Sequence, residues 1–203
     1  MLMSSDSEFN EIYDEYYPKV LQYVSRLAGS NDAEDITQDV FGKVNSNLRR
    51  FQGKSKLSTW IYRIATNTVI DRSRSAAYKH PAESISMHDG DDSGSQPGLE
   101  DQTLTSTDQM VIKKEMRDCI NEYIDKLPAD YKMVIILSEL EGVSNKEISE
   151  ILGISLGNAK IRLHRARKRL KAILDDACAF YYTEQNTLAC DRKQVKILPK
   201  MKK

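Results

Sequence analysis

Asn158, Ile161, Arg162 and Arg165 fall on one side of a segment whose other side is apolar. The apolar positions are Leu156, Ala159, Leu163, Ala166, Leu170 and Ile173, at spacings of 3, 4, 3, 4 and 3, the repeat of a helix seam. At about 100° per residue, with Leu163 at zero, the first four side chains lie between roughly 160° and 260°. A helix held by that seam presents an amide, a branched alkyl group and two guanidiniums. These are groups that read adenine, a thymine methyl and guanine in a major groove. Lys160, Arg167, Lys168, Arg169 and Lys171 sit at the flanks and towards the C-terminal end, where phosphates would lie. Residues 158–174 carry seven basic side chains and no acidic one. A merely solvated basic helix and a coiled-coil seam are the other readings of the same pattern.

A second group surrounds Gly53. Arg49, Arg50, Lys54 and Lys56 supply cations, Phe51 an aromatic plane and Ser55 a hydroxyl, which together suit a single unstacked base. Phe51 as an ordinary core aromatic is the competing reading. Cys178 and Cys190 stand twelve positions apart in the C-terminal tail. A four-ligand zinc site would need two more ligands, and only Cys119, His80, His88 and His164 remain. Free thiols are therefore expected and no metal, with Cys178 and Cys190 as weak candidates. The sequence holds no phosphate-binding glycine loop, zinc-protease motif or Ser/His/Asp constellation, so neither an enzyme nor a bound cofactor is expected.

The elements that must position these groups read as helices. Phe9, Ile12, Tyr13, Tyr16, Val20, Tyr23, Val24 and Leu27 form one stripe, closed by Gly29. Asn31 with Glu34 suggests a capped restart, followed by Ile36, Val40, Phe41, Val44 and Leu48. A third stripe begins at Thr59, with Trp60, assigned mainly to the core, then Ile61, Ile64, Ala65 and Val69. From Ser75 the pattern stops. Residues 76–112 carry one basic and seven acidic side chains, and 76–107 read as a flexible acidic linker with little to bury. Helices resume at 108. Pro128 falls at the first turn of one and Gly142 at its end. Ser144-Asn145-Lys146-Glu147 is a capping box, Gly153 stops that short helix, and Ser155 caps the next. The sequence between 144 and 170 thus has helix-turn-helix grammar. The fold expected is all-α: two small helical domains, 9–75 and 108–174, joined by the linker and followed by a Cys-containing tail, 175–203. No apolar run approaches the ~18 residues of a membrane span, and residues 1–10 lack the pattern of a secretory signal. No membrane insertion is expected. The formal net charge of zero conceals the acidic linker and the basic helix, which could attract one another.

Two long motifs carry a family resemblance. Residues 33–41 (AEDITQDVF) and 51–67 (FQGKSKLSTWIYRIATN) resemble region 2 of the sigma-70 family, the bacterial RNA polymerase initiation factors. Leu127-Pro128, Glu147-Ile148 and Arg162-Leu163-His164-Arg165-Ala166-Arg167 resemble its region 4. The order, the acidic linker and the coverage of roughly 10–174 are similar to the extracytoplasmic-function group. The resemblance implies promoter-specific initiation with core polymerase, in the cytoplasm, through the β′ clamp helices and the β flap. It assigns clamp docking to Asp35, Gln38 and Asp39. It assigns capture of a flipped −10 base to Phe51, Lys54, Ser55 and Lys56, with Arg63, Asn67 and Arg74 facing the strand. The −35 readers are then Asn158, Lys160, Ile161, Arg162, Arg165 and Lys168. Gly157-Asn158-Ala159 and Ile161 depart from the commoner pattern, which bears on −35 preference. Trp60 and Tyr62 are fewer aromatics than housekeeping factors carry here, implying more sequence-stringent melting. An anti-sigma protein is the expected regulator. A stand-alone helix-turn-helix regulator is the alternative function.

Overall fold

A computed structural model of the protein describes residues 5–79, 107–184 and 186–193. Seven helices and one hairpin follow in order: α1 (Ser5–Ala28), α2 (Ala33–Leu48), α3 (Leu57–Lys79), α4 (Thr107–Asp125), α5 (Ala129–Ile135), α6 (Asn145–Leu152), α7 (Leu156–Ala177), β1 (Cys178–Tyr182) and β2 (Leu188–Arg192). The fold is mostly helical, as the periodicity implies. Most of the acidic linker, 80–106, lies outside the described residues, while α3 runs four residues past the expected boundary at 75.

Two compact units divide the chain, and each is described by itself. The first comprises α1–α3 together with residues 133–163. Its core is the meeting of the three predicted stripes: Val20, Tyr23 and Val24 from α1, Ile36, Val40 and Val44 from α2, and Ile61 and Ala65 from α3 are almost wholly buried. The core hydroxyls of Tyr23, Thr37 and Thr66 are paired. The Tyr23 hydroxyl and Thr66 Oγ1 are 2.8 Å apart, Thr66 also donates to the Tyr62 carbonyl at 2.7 Å, and Thr37 donates to the Ala33 carbonyl at 2.7 Å. Burial pushes the Tyr23 phenol well above its ordinary range. Gly29, at φ 88, ends α1 as expected. The expected Asn31–Glu34 cap does not form: α2 starts after Asp32, which makes no side-chain capping bond.

Helix α5 begins after Pro128, whose carbonyl accepts from Tyr131 and Lys132. It then widens into a π-helical turn, Ile136–Leu140, before Gly142 at φ 65. The capping box at Ser144 forms with both of its reciprocal bonds. Gly153, at φ 64 and ψ 33, closes α6 in the left-handed region that a Cβ would strain. The Asn158 N–H donates to Ser155 Oγ at 3.2 Å, so Ser155 caps α7 as its type predicts.

The second unit comprises α4, the chain to Lys132, and residues from His164 onward. Its hairpin was not anticipated. The strands pair antiparallel, with Cys178 opposite Arg192, Phe180 opposite Cys190 and Tyr182 opposite Leu188. The loop between them is fastened by Thr183 and Thr187 backbone bonds and by Asn186 at φ 56, a conformation Asn tolerates.

Candidate nucleic-acid interface

The loop between α2 and α3 is set by local bonds. The Arg50 and Phe51 N–H groups donate to the Asn47 and Leu48 carbonyls at 2.9 and 3.0 Å, and Gly53 turns the chain at φ 65. Phe51 is partly buried against Trp60, ring centroids 5.0 Å apart. Trp60 itself is only partly buried, so it is a wall of the loop rather than the core residue expected. Lys54, Ser55, Thr59, Trp60 and Arg63 line a cleft of about 400 Å³, whose opposite side is Ser149, Glu150, Gly153 and Ile154. Arg63, Asn67 and Arg74 are exposed along α3.

Two carboxylates of residues 133–163 are fastened to this region. Glu147 Oε1 lies 2.8 Å from Lys56 Nζ, and its Oε2 accepts from the Ser144 N–H at 3.0 Å and the Ser144 hydroxyl at 2.6 Å. The Lys56 bond, then the two Ser144 bonds, hold the Glu147 carboxyl down to about 2. The same bond pushes the Lys56 ammonium up. Glu141 is nearly enclosed, its side chain 7% exposed. Arg26 Nη1 donates to its Oε1 and the Tyr62 hydroxyl to its Oε2, both at 2.7 Å. Burial first, then the Glu141 charge, drives the Tyr62 phenol far up. Sequence reading saw Glu147 as a helix cap and as part of the region 4 resemblance, and passed over Glu141. The one available signal was the carboxylate itself, since its partners come from α1 and α3.

On α2, Asp35, Gln38, Asp39 and Lys43 face outward while Ile36, Val40 and Val44 are buried. Lys43 Nζ donates to Thr68 at 3.0 Å, which leaves an acidic and amide face at 35, 38 and 39. On α7, Ala159, Leu163 and Ala166 are buried and form the heart of the seam. Leu156, expected to begin that seam, is 42% exposed, because it stands at the first helical position beyond the turn. Asn158, Lys160, Arg165 and Lys168 are exposed, Arg162 is partly buried, and Ile161 is 52% exposed. A branched alkyl side chain thus stands among polar ones on the outward face.

The three thiols are free. Cys178 is buried and Cys119 and Cys190 are partly so. Burial pushes the Cys178 and Cys190 thiols up, with the neighbouring Cys119 adding to both. Cys119, counted in the sequence only among the remaining ligand types, comes together with the two tail cysteines.

Comparison with known proteins accords with this geometry. Residues 12–78 match Sigma-70 region 2, and residues 117–170 match Sigma-70, region 4. The chain is 37% identical over 177 residues to the ECF RNA polymerase sigma factor SigW of Bacillus subtilis, covering 83% of this chain and 89% of that one. It is 31% identical over 162 residues to the ECF RNA polymerase sigma-E factor of Escherichia coli, covering 80% and 84%. In fold it is similar to the sigma factor RpoE solved with the anti-sigma factor NepR from Bartonella quintana, with TM-score 0.66, 22% identity, and 83% and 97% coverage. It is also similar to CnrH solved with the cytosolic domain of CnrY, with TM-score 0.55 and 22% identity over 82% and 87% of the two chains. With regions 2 and 4 both matched in order and such identity over four-fifths of its length, the chain belongs to the extracytoplasmic-function sigma factors of the sigma-70 family, non-enzymatic RNA polymerase subunits that direct promoter-specific transcription initiation.

Proposed function

We propose that this sigma factor reads the −10 element with the α2–α3 loop and α3, reads the −35 element with α7, and docks the polymerase β′ clamp helices with α2. The observation that carries the −10 assignment is the shared cleft: Lys54, Ser55 and Arg63 converge on one concavity beside Trp60. It combines cations, a hydroxyl and aromatic rings at the scale of a base, the pairing of charge and stacking surface that single strands require. Phe51 backs that wall through its contact with Trp60, while Lys56, Asn67 and Arg74 extend the polar track from loop to helix. On α7 the support is Ile161. An exposed branched side chain beside Asn158, Arg162 and Arg165 suits a groove floor carrying both hydrogen-bonding edges and thymine methyls. Lys160 and Lys168 flank it as phosphate contacts. The α2 face of Asp35, Gln38 and Asp39 suits a basic helical partner, and region 4 would meet the β flap.

In this arrangement α6 walls the −10 cleft and Glu147 holds Lys56, so the single strand gains its site when α6 leaves α3. An anti-sigma protein that grips these helices is the regulator this implies, and the similar folds above were solved with such partners. The factor acts in the cytoplasm, where core polymerase is. Among the described residues no helix is long and apolar enough to cross a membrane.

Run-off transcription with core polymerase tests the assignment. Ser55→Ala, Lys56→Ala and Asn67→Ala should lower open-complex formation at −10 variants selectively, with −35 preference unchanged. Equal loss on every promoter sequence would refute base reading by this cleft.

A further inference from the structure

Three thiols that the transcription function does not use are gathered in the second unit. The Sγ atoms of Cys119, Cys178 and Cys190 all lie within 4.8 Å of one another. They come from three elements, α4, β1 and β2. In the hairpin register Phe180 is opposite Cys190, so Cys178 lies on the same face as Cys190, one diagonal step away. Arg192, opposite Cys178, is on that face too and is ion-paired with Glu122 of α4. Glu122 and Tyr123 stand one helical turn beyond Cys119, so a single face of α4 meets a single face of the hairpin.

We propose that Cys119, Cys178 and Cys190 form a three-thiolate binding site for a thiophilic d10 metal ion, Zn²⁺ being the reference member. Thiolate sulfurs bind zinc at about 2.3 Å, which sets neighbouring sulfurs about 3.8 Å apart in a tetrahedron. The thiols therefore need to close by only about an ångström, within the reach of rotamer adjustment. Three sulfurs occupy three positions, and the fourth opens at the partly exposed Cys190, where water or a further ligand completes the set. On binding, the three thiols release three protons to solvent. The resulting Zn(S)₃ group carries one negative charge, which the adjacent Arg192 guanidinium offsets.

Geometry favours an ion over a disulfide between the strand cysteines. Diagonal partners have Cα atoms about 7–8 Å apart, beyond the roughly 4.4–6.8 Å that a disulfide spans. A bridge from Cys119 to either strand would leave the third thiol unused. The region 4 match ends at residue 170, so the site joins a helix inside the matched region to a hairpin outside it. Bound metal would clip the tail to α4, well along the chain from the −35 readers of α7.

The test uses the full-length protein, reduced and stripped with a chelator. Cd²⁺ is titrated while the thiolate-to-metal ultraviolet band is followed, and Zn²⁺ is measured by competition with a chromophoric chelator. The expected result is saturation at one equivalent. Cys119→Ser, Cys178→Ser and Cys190→Ser should each weaken binding by at least about 100-fold, the upper end of what losing a ligand's hydrogen-bond partner costs. Zn²⁺ should also slow alkylation of all three thiols in the unmodified protein and raise its melting temperature, a readout independent of how the variants fold. Binding that survives any one substitution, or no saturable binding with all three thiols reduced, overturns the proposal. So does a stoichiometric Cys119 disulfide on mild oxidation together with no protection by Zn²⁺, which would make the cluster a redox pair.

Discussion

Replacing Glu141 by Ala should open the −10 cleft without unfolding α1–α3. The Glu141 carboxylate is 7% exposed and accepts from Arg26 and Tyr62 at 2.7 Å each. Removing one partner of a buried ion pair costs about 3–5 kcal/mol. Arg26 keeps 24% of its side chain in solvent, which argues for the lower end, and that figure already includes the stranded Tyr62 hydroxyl, whose lost hydrogen bond is on the scale of about 1–3 kcal/mol. A total of about 3 kcal/mol is therefore expected. It falls on the attachment of residues 133–163, because the Val20, Tyr23, Val40 and Ile61 core does not include Glu141. At about 1.4 kcal/mol per tenfold, the open fraction rises by roughly two orders of magnitude. A ligand that binds only the open form should tighten by up to that factor. The assay is low-salt binding of the free protein to fluorescent single-stranded DNA. The protein's single tryptophan, Trp60, serves as an internal reporter, since α6 residues face it across the cleft. Its emission should shift red and quench more readily with helical circular dichroism unchanged. Glu141→Gln, which keeps an acceptor for Tyr62 but loses the charge, should fall between. Unchanged DNA affinity and unchanged quenching would refute the idea that this carboxylate closes the cleft, and a uniform loss of helix would show that it supports the whole unit.

Further outcomes follow from the same surfaces. Arg165→Ala should cost about 1–3 kcal/mol at one −35 position if it makes a bidentate base contact, whereas Lys168→Ala should weaken all promoters evenly and lower the salt slope by about one charge; filter-binding of the holoenzyme across salt and sequence separates the two. Asp39→Arg should reduce affinity for core polymerase measured by competition, with the melting temperature of the free protein unchanged because the side chain is exposed. Glu147 titrates below its ordinary value, at about 2, so its contribution is fully present above the ordinary carboxylate range and is lost as pH falls through that window towards 2; acid titration of Trp60 fluorescence should show this limb, and Glu147→Gln should remove it.

The parts of the fold that repeat were readable, and the parts that depend on remote partners were not. The stripes of α1, α2 and α3 announce themselves because each buries one side chain every three or four residues, and the Ser144 and Ser155 caps act within one turn of themselves. The π-helical turn at Ile136–Leu140 has no such local signature. It ends where Glu141 meets Arg26 and Tyr62, groups far apart in the chain whose agreement no periodicity records. The hairpin was hidden for a related reason: five-residue strands of mixed polarity, Cys178–Tyr182 and Leu188–Arg192, give too short a window for alternation to stand out, though Asn186 and the aromatic run were available as turn and strand cues. Cys119 stands far from Cys178 and Cys190 in the sequence, and α4 packing on β2 brings its sulfur to the other two.

The same contacts recast how the factor's charges restrain one another. The sequence points to the acidic linker lying over the basic helix, a linker largely outside the described residues. Within the described chain the restraint has a different origin. Lys56, one of the cations assigned to the −10 strand, is held by Glu147, and that carboxylate is itself fixed by the Ser144 capping box. A surface ion pair of this kind contributes only about 0–1 kcal/mol, so it cannot close the cleft alone. The enclosed Glu141 contacts can, and they sit in the segment that carries α6. On the proposed reading of the cleft, one element, residues 133–163, sets both the stability of the closed form and the availability of the proposed −10 residues, and a partner that gains more by binding α6 or α3 than Glu141 contributes decides which form is populated.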